Sequence, residues 1–185
     1  MQSRLRQAML VLMFVSTTAC AQDVAHGHAT PSARIEGCDA FTWNVSRELA
    51  LMAQPATSID AARDGNAVAV KPDKHYLVHL APQASVKFAL APARSRTAEN
   101  AHAALVRFRV AQAGVYRITL TSKHWIDVVD GDHAIATRDF QGRPGCDRLH
   151  KVVEFELPES RDLILQVSGD GADSVGLAIT PAPKA

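Results

Sequence analysis

Val106-Arg107-Phe108-Arg109-Val110, the turn Ala111-Gln112-Ala113-Gly114, and Val115-Tyr116-Arg117-Ile118-Thr119-Leu120 decide the fold. Val106, Phe108 and Val110 alternate with two arginines, and Tyr116, Ile118 and Leu120 share one face. A period of two marks half-buried strands, because successive side chains of a strand point to opposite faces. The spacing predicts a hairpin whose outer sides carry arginine.

The same period extends on both sides. Tyr76, Val78 and Leu80 alternate upstream, as do Val86, Phe88 and Leu90. Downstream, Trp125 to Val129 and Ala134 to Thr137 flank Asp130-Gly131-Asp132, whose Asp-Gly pair suits the positive φ of a tight primed turn. Val152, Val153, Phe155 and Leu157 form a further strand, Leu163, Leu165 and Val167 the next. Ser168-Gly169-Asp170-Gly171 then turns into Val175, Leu177 and Ile179. Thr42 to Gln54 instead has helical spacing: Val45, Leu49 and Met52 stand at i, i+4 and i+7, with Arg47 and Glu48 on other faces. Asn44 or Thr42 can cap this helix, and Pro55 stops it. Seven or eight short strands, with turns about every 8 to 12 residues and no helices between them, argue against a parallel sheet. The expected fold is mainly β, an antiparallel β-sandwich of jelly-roll type with one short N-terminal helix.

Composition bounds the function. The chain has 185 residues, 47% hydrophobic and 21% charged, which suits one folded domain and excludes a disordered protein. Its formal charge of +1 and lack of a basic block exclude nucleic acid as a partner.

Residues 1–21 have the order of an export signal: Arg4 and Arg6, the apolar run Ala8 to Val15, then small residues ending in Ala19-Cys20-Ala21. The run is shorter than the roughly 20 apolar residues that span a bilayer. Two cleavage readings compete. Ala19-Cys20-Ala21 satisfies the A-x-A rule and discards Cys20, whereas Thr17-Thr18-Ala19-Cys20 resembles a lipobox and makes Cys20 a lipidated N-terminus, a lipid anchor to the membrane. Removing the signal leaves eighteen basic against nineteen acidic residues, a net charge of −1 that steers nothing. Residues 22–37 hold hardly any large apolar side chain and read as a flexible spacer. Residues 38–181 are the expected sandwich domain and 182–185 a tail. Periplasm or outer membrane is the expected location. There Cys38 and Cys146, the only cysteines left, are expected to form a disulfide.

The chemistry-bearing residues specify no reaction. His26 and His28 lie in the spacer. His75 and His79 are four positions apart, about 13 Å along a strand, too far to share a metal unaided. His102, His124, His133 and His150 are scattered, so no metal centre or other cofactor is expected. The acidic turns at Asp127 to Asp132 and Asp170 to Asp173 lack calcium-loop spacing. No G-x-S-x-G, H-E-x-x-H or G-x-x-x-x-G-K motif is present, and no catalytic residue is assigned. Trp43 and Trp125 are the aromatic candidates for stacking on a sugar or peptide. If Ile126 and Val128 face the core, Trp125 and Asp127 form an outward aromatic-carboxylate pair, with Lys123 and His124 beside it; if they do not, Trp125 is a core residue buried between the two sheets. The expected function is a non-catalytic binding or accessory module of the envelope, its partner a small molecule, a glycan or an envelope protein. A metal-dependent enzyme and a purely structural lipoprotein are the competing classes.

Cys38-Asp-Ala-Phe41-Thr-Trp43-Asn-Val45-Ser-Arg47-Glu48, with Trp125-Ile-Asp127-Val-Val and Gly145-Cys146, resembles a family of small exported proteobacterial proteins of uncharacterised function. Some of its members carry a homogentisate dioxygenase label. That activity implies an iron centre of two histidines and one carboxylate, a cluster this sequence does not display. Gly114 to Leu120, Leu163 to Gly169 and Ser174 to Ile179 are similar to the closing strands of secreted prepeptidase-type and carbohydrate-binding sandwiches, a likeness of fold alone.

Cell fractionation separates the two cleavage readings. Lipidation predicts that Cys20→Ala moves the protein from the membrane to the soluble fraction. A-x-A processing predicts that the unaltered protein is soluble already.

Overall fold

A computed structural model describes residues 37–64, 66–94 and 98–183. The signal segment, Cys20, the spacer up to residue 36, both of its histidines and the last two residues of the tail lie outside the described residues. Twelve strands form two sheets: β1 (Thr57–Asp60), β2 (Val68–Val70), β3 (Tyr76–His79), β4 (Ala81–Pro82), β5 (His102–Phe108), β6 (Gly114–Leu120), β7 (Trp125–Asp130), β8 (His133–Ile135), β9 (Thr137–Gly142), β10 (Lys151–Leu157), β11 (Leu163–Asp170) and β12 (Ser174–Pro181). One sheet has the order β1-β3-β12-β6-β10-β9 and the other β2-β5-β11-β7-β8, with β4 on β5. Stripped of edge additions, the two layers read β3-β12-β6-β10 and β5-β11-β7-β8. The chain passes between layers as a double Greek key does, so the sandwich is of jelly-roll type.

The inward residues pack together between the layers. Phe108, Ile118, Leu120, Val128, Phe155, Leu165, Leu177 and Ile179 are essentially inaccessible to solvent, as the period of two requires. The pair β7 and β8 is the expected hairpin, with Asp130 opposite His133 and Gly131 at φ +63° in the two-residue loop.

Four expectations about the strands need correction. First, β5 and β6 are not a hairpin. β5 pairs with β11 and β2, β6 with β10 and β12, and residues 109–113 carry the chain across the core from one sheet to the other. Alternation reveals which face is inward, not which strand lies alongside. Second, the outer side of β6 is not solvated, because Arg117 is buried. Third, the sheets are mixed: β1 runs parallel to β3 and β2 parallel to β5, as short edge additions. Fourth, Val86, Phe88 and Leu90 are not a strand. After a 3-10 turn at Gln83–Ser85 this segment lies over the outer face of the second sheet, and its alternation reflects that cover.

The one α-helix among the described residues, α1 (Ser46–Met52), lies on the outer face of the first sheet. Asn44 Oδ1 accepts from the Ser46 N–H at 3.0 Å, so Asn44 serves the helix start from one residue further out than a standard cap. Gly176 admits the helix, since a Cβ there would stand 2.9 Å from Met52 Cε and 2.6 Å from Thr121 Cγ2. Glu48 is buried rather than solvated. Its Oε1 accepts from Thr180 Oγ1 at 2.8 Å and stands 3.6 Å from Arg117 NH1. Arg117 also donates to Glu154 Oε1 at 2.9 Å and to the Asn44 carbonyl at 2.7 Å, and its guanidinium lies 4.9 Å from the Trp43 ring centre.

Residues 38–52, from Cys38 through α1, form a strap over this face, and the Cys38–Cys146 disulfide pins its start, with Cα atoms 4.5 Å apart across 108 positions. Phe41, Val45, Leu149 and Val152 pack around it. Among the described residues no helix is long and apolar enough to cross a membrane.

A loop of this length has a chain-entropy value of about 4.7 kcal/mol in the unfolded state. Replacing both cysteines by serine should lower the urea-unfolding free energy by about 2–5 kcal/mol. A loss under about 1 kcal/mol would show that the strap does not depend on the bridge.

Candidate functional site

Ile126 and Val128 face the core, so Trp125 and Asp127 point outward from β7, as their alternation with the core residues requires. Trp125 Nε1 donates to Asp127 Oδ1 at 2.9 Å, which fixes the indole. Asp127 Oδ2 accepts the Ala93 N–H at 3.2 Å. On the neighbouring strand β11, Gln166 is fully buried: its Oε1 accepts from the N–H groups of Ala89 and Leu90 at 2.7 and 3.2 Å, and its Nε2 donates to the Leu90 carbonyl at 3.1 Å. These bonds lay residues 89–93 on the sheet and bring Arg94 to the tryptophan, its guanidinium carbon 5.7 Å from the ring centre.

A second cation arrives from the opposite sheet. Lys151, the first residue of β10, holds Nζ 5.7 Å from the same ring centre while donating to the carbonyls of His124 at 2.7 Å and Lys123 at 3.3 Å. Both distances are within the range of a cation–π contact.

Two hollows flank the indole. One, about 280 Å³, is lined by Arg94, Lys123, Trp125 and Asp170 among others. The other, about 220 Å³, has apolar walls from Trp125, Ile126, Phe140 and Val153, with Thr137 beside them and Arg94 and Lys151 as its charges. Phe140 is 63% exposed, the most exposed of the large apolar side chains among the described residues.

The structure thus brings Trp125, Asp127 and Lys123 together at one surface. His124 does not join them: it is fully buried, with Ser122 Oγ 2.6 Å from its Nδ1 and Asp170 Oδ2 at 3.7 Å. His124 continues the alternation backwards from Trp125, so its ring falls on the inward side with Ile126. Ser122 and Asp170 both approach the same ring nitrogen, and buried Nε2 has no partner among the described residues. That differs from a catalytic triad, in which the nucleophile and the carboxylate take opposite nitrogens. Trp43 lies apart from this surface, with the Arg117 guanidinium 4.9 Å from its ring centre.

The remaining candidates are held separately. His75 Nδ1 meets the Gln54 carbonyl at 2.9 Å and His79 Nε2 meets Ser58 Oγ at 2.8 Å. Asp130 pairs with Arg161 and Asp132 with His133. Asp170 accepts from the N–H groups of Lys123 and Gly171. Among the described residues no group of three or more His, Cys, Asp or Glu is placed to hold a metal ion.

Arg94, Lys151 and Phe140 escape the sequence reading. Arg94 lies in a segment without regular structure, Lys151 opens a strand as an ordinary surface lysine would, and Thr137 to Gly142 has no alternation. Gln166 offered an indirect signal, since an outward glutamine between Ile164 and Ser168 is buried only where something covers the sheet.

Burial lowers the basicity of the groups beneath the site. His124 is pushed below the ordinary imidazole value mainly by burial, with Lys151 adding to this and Asp170 opposing it. His150 is lowered by burial and then by Lys151 and Lys123. Lys151 is lowered by burial and then by Arg94, against Asp170.

No protein-family model matches the chain, and comparison with curated proteins also returns no match.

The lowered histidines set a pH dependence. Between their depressed folded-state values and about 6.5, the unfolded chain binds more protons than the folded one, so stability is held above about pH 6.5 and lost as the pH falls. The urea midpoint should fall from pH 7 to pH 5, and His124→Asn should flatten that fall. An unchanged slope in the variant would show that His124 contributes nothing to it.

Proposed function

We propose that this chain is an exported, non-catalytic binding module of the cell envelope that seats its ligand against Trp125. The observation that carries the reading is an indole projected outward, fixed by Asp127 and flanked by two hollows and two cations. An aromatic side chain anchored in this way offers a large contact area with little ordering left to do on binding. The position of Trp125 outside the packed core also supports the reading, since packing does not require it there.

Export agrees with the disulfide, which persists in oxidising compartments. The resemblance to small exported proteobacterial proteins is part of the same proposal, because its residues form the disulfide strap and the Trp125 strand.

The test is amide chemical-shift mapping on the oxidised mature protein, titrated with pools of soluble glycans and small organic molecules. The expected result is a set of shifts centred on Trp125, Asp127, Lys123 and residues 89–94 that disappears in Trp125→Ala. Shifts centred elsewhere, or unaltered by that substitution, would overturn the reading.

A further inference from the structure

We propose that the hollow between Trp125 and Phe140 takes a small organic anion, a carboxylate carried on a flat apolar body. The inference rests on Trp125 as the ligand site and adds the chemical class of the ligand.

Charge supplies the first argument. Arg94 and Lys151 both stand 5.7 Å from the indole centre, and neither has a carboxylate within ion-pair distance among the described residues. Asp127 and Asp170 are held by neutral donors, the Trp125 indole and backbone N–H groups, and neither forms an ion pair with Arg94 or Lys151. Two like charges brought to one ring repel each other, and an anion between them relieves that repulsion.

The lining supplies the second. The Trp125–Phe140 hollow contains both cations and no acidic side chain. The hollow that Trp125 shares with Lys123 includes Asp170, and three other surface hollows include Asp162, Glu99 and Glu154 respectively. Of these five hollows, the Trp125–Phe140 one alone carries cations with no carboxylate to repel an anion.

The walls supply the third. Trp125, Phe140, Ile126 and Val153 present apolar surface in a space of about 220 Å³, which suits a single ring or a short aliphatic chain rather than an oligosaccharide. Phe140, 63% exposed, gains most from being covered. The anionic end then lies toward Lys151 and Arg94, where charge-assisted hydrogen bonds are available, and the body lies against the two aromatic rings.

Calorimetric titration of the oxidised mature protein with 3-phenylpropanoate and with its neutral amide tests the class. The carboxylate should bind about tenfold more tightly than the amide. That preference should shrink about fivefold in Arg94→Gln, an exposed position whose substitution does not threaten folding. Lys151→Arg should keep the preference and Lys151→Met should remove it. Equal binding of acid and amide, both lost in Trp125→Ala, would overturn the anion inference and leave the Trp125 module standing. No binding of either probe would also overturn the ligand class, while the shift mapping decides separately whether Trp125 binds anything.

Discussion

A buried guanidinium between two carboxylates holds the outer layer of this protein in place. Arg117 stands on the outer face of β6, where a half-exposed sheet would leave it in water. Here it reaches Glu154 on the adjacent strand, Glu48 on the helix and the Asn44 carbonyl, with the Trp43 ring against it. An unpaired charge in that position would carry a desolvation cost of several kcal/mol, so the strap is required once the arginine is there. Thr180, also buried, donates to Glu48 and ties β12 into the same contact. The disulfide brings the strap to this face, and the ion pair fixes where on the face it lies.

That frame positions the site. Glu154 and Lys151 share β10, so the contact that anchors the middle of the strand to Arg117 also sets where its first residue emerges beside Trp125. Cys146, Leu149 and Val152 are packed under the strap and fix the approach to the same strand. On the opposite sheet Gln166 performs the corresponding task for residues 89–93 and hence for Arg94. Each cation at the hollow is thus delivered by a covering segment or strand whose place is set by a buried polar side chain.

The inward faces of most strands were legible in the sequence because they obey a period of two: Phe108, Ile118, Leu165 and Leu177 lie in the core, and the Asp-Gly turn is a hairpin. Strand pairing was not legible, since the residues of β5 and β6 satisfy a hairpin and a crossing between sheets equally well. Outer faces were misread for one physical reason: a polar side chain is solvated only if nothing covers it. Glu48 stands three residues after Val45 and four before Met52, within the apolar stripe, and its burial could have been suspected from that spacing. Alternation put Trp125 and Asp127 on one face and Ile126 and Val128 on the other without saying which is inward; once the structure places Ile126 and Val128 in the core, the same alternation places His124 inward. Arg94, Lys151 and Phe140 meet there only through tertiary packing.

The account is tested most directly by a double-mutant cycle between Glu48 and Arg117, measured by urea unfolding of the oxidised protein. Glu48→Gln and Arg117→Met should each be strongly destabilising, and the double variant should lose less than their sum by about 2 kcal/mol or more. Losses that add to within about 0.5 kcal/mol would contradict a buried charge contact as the fastening of the outer layer.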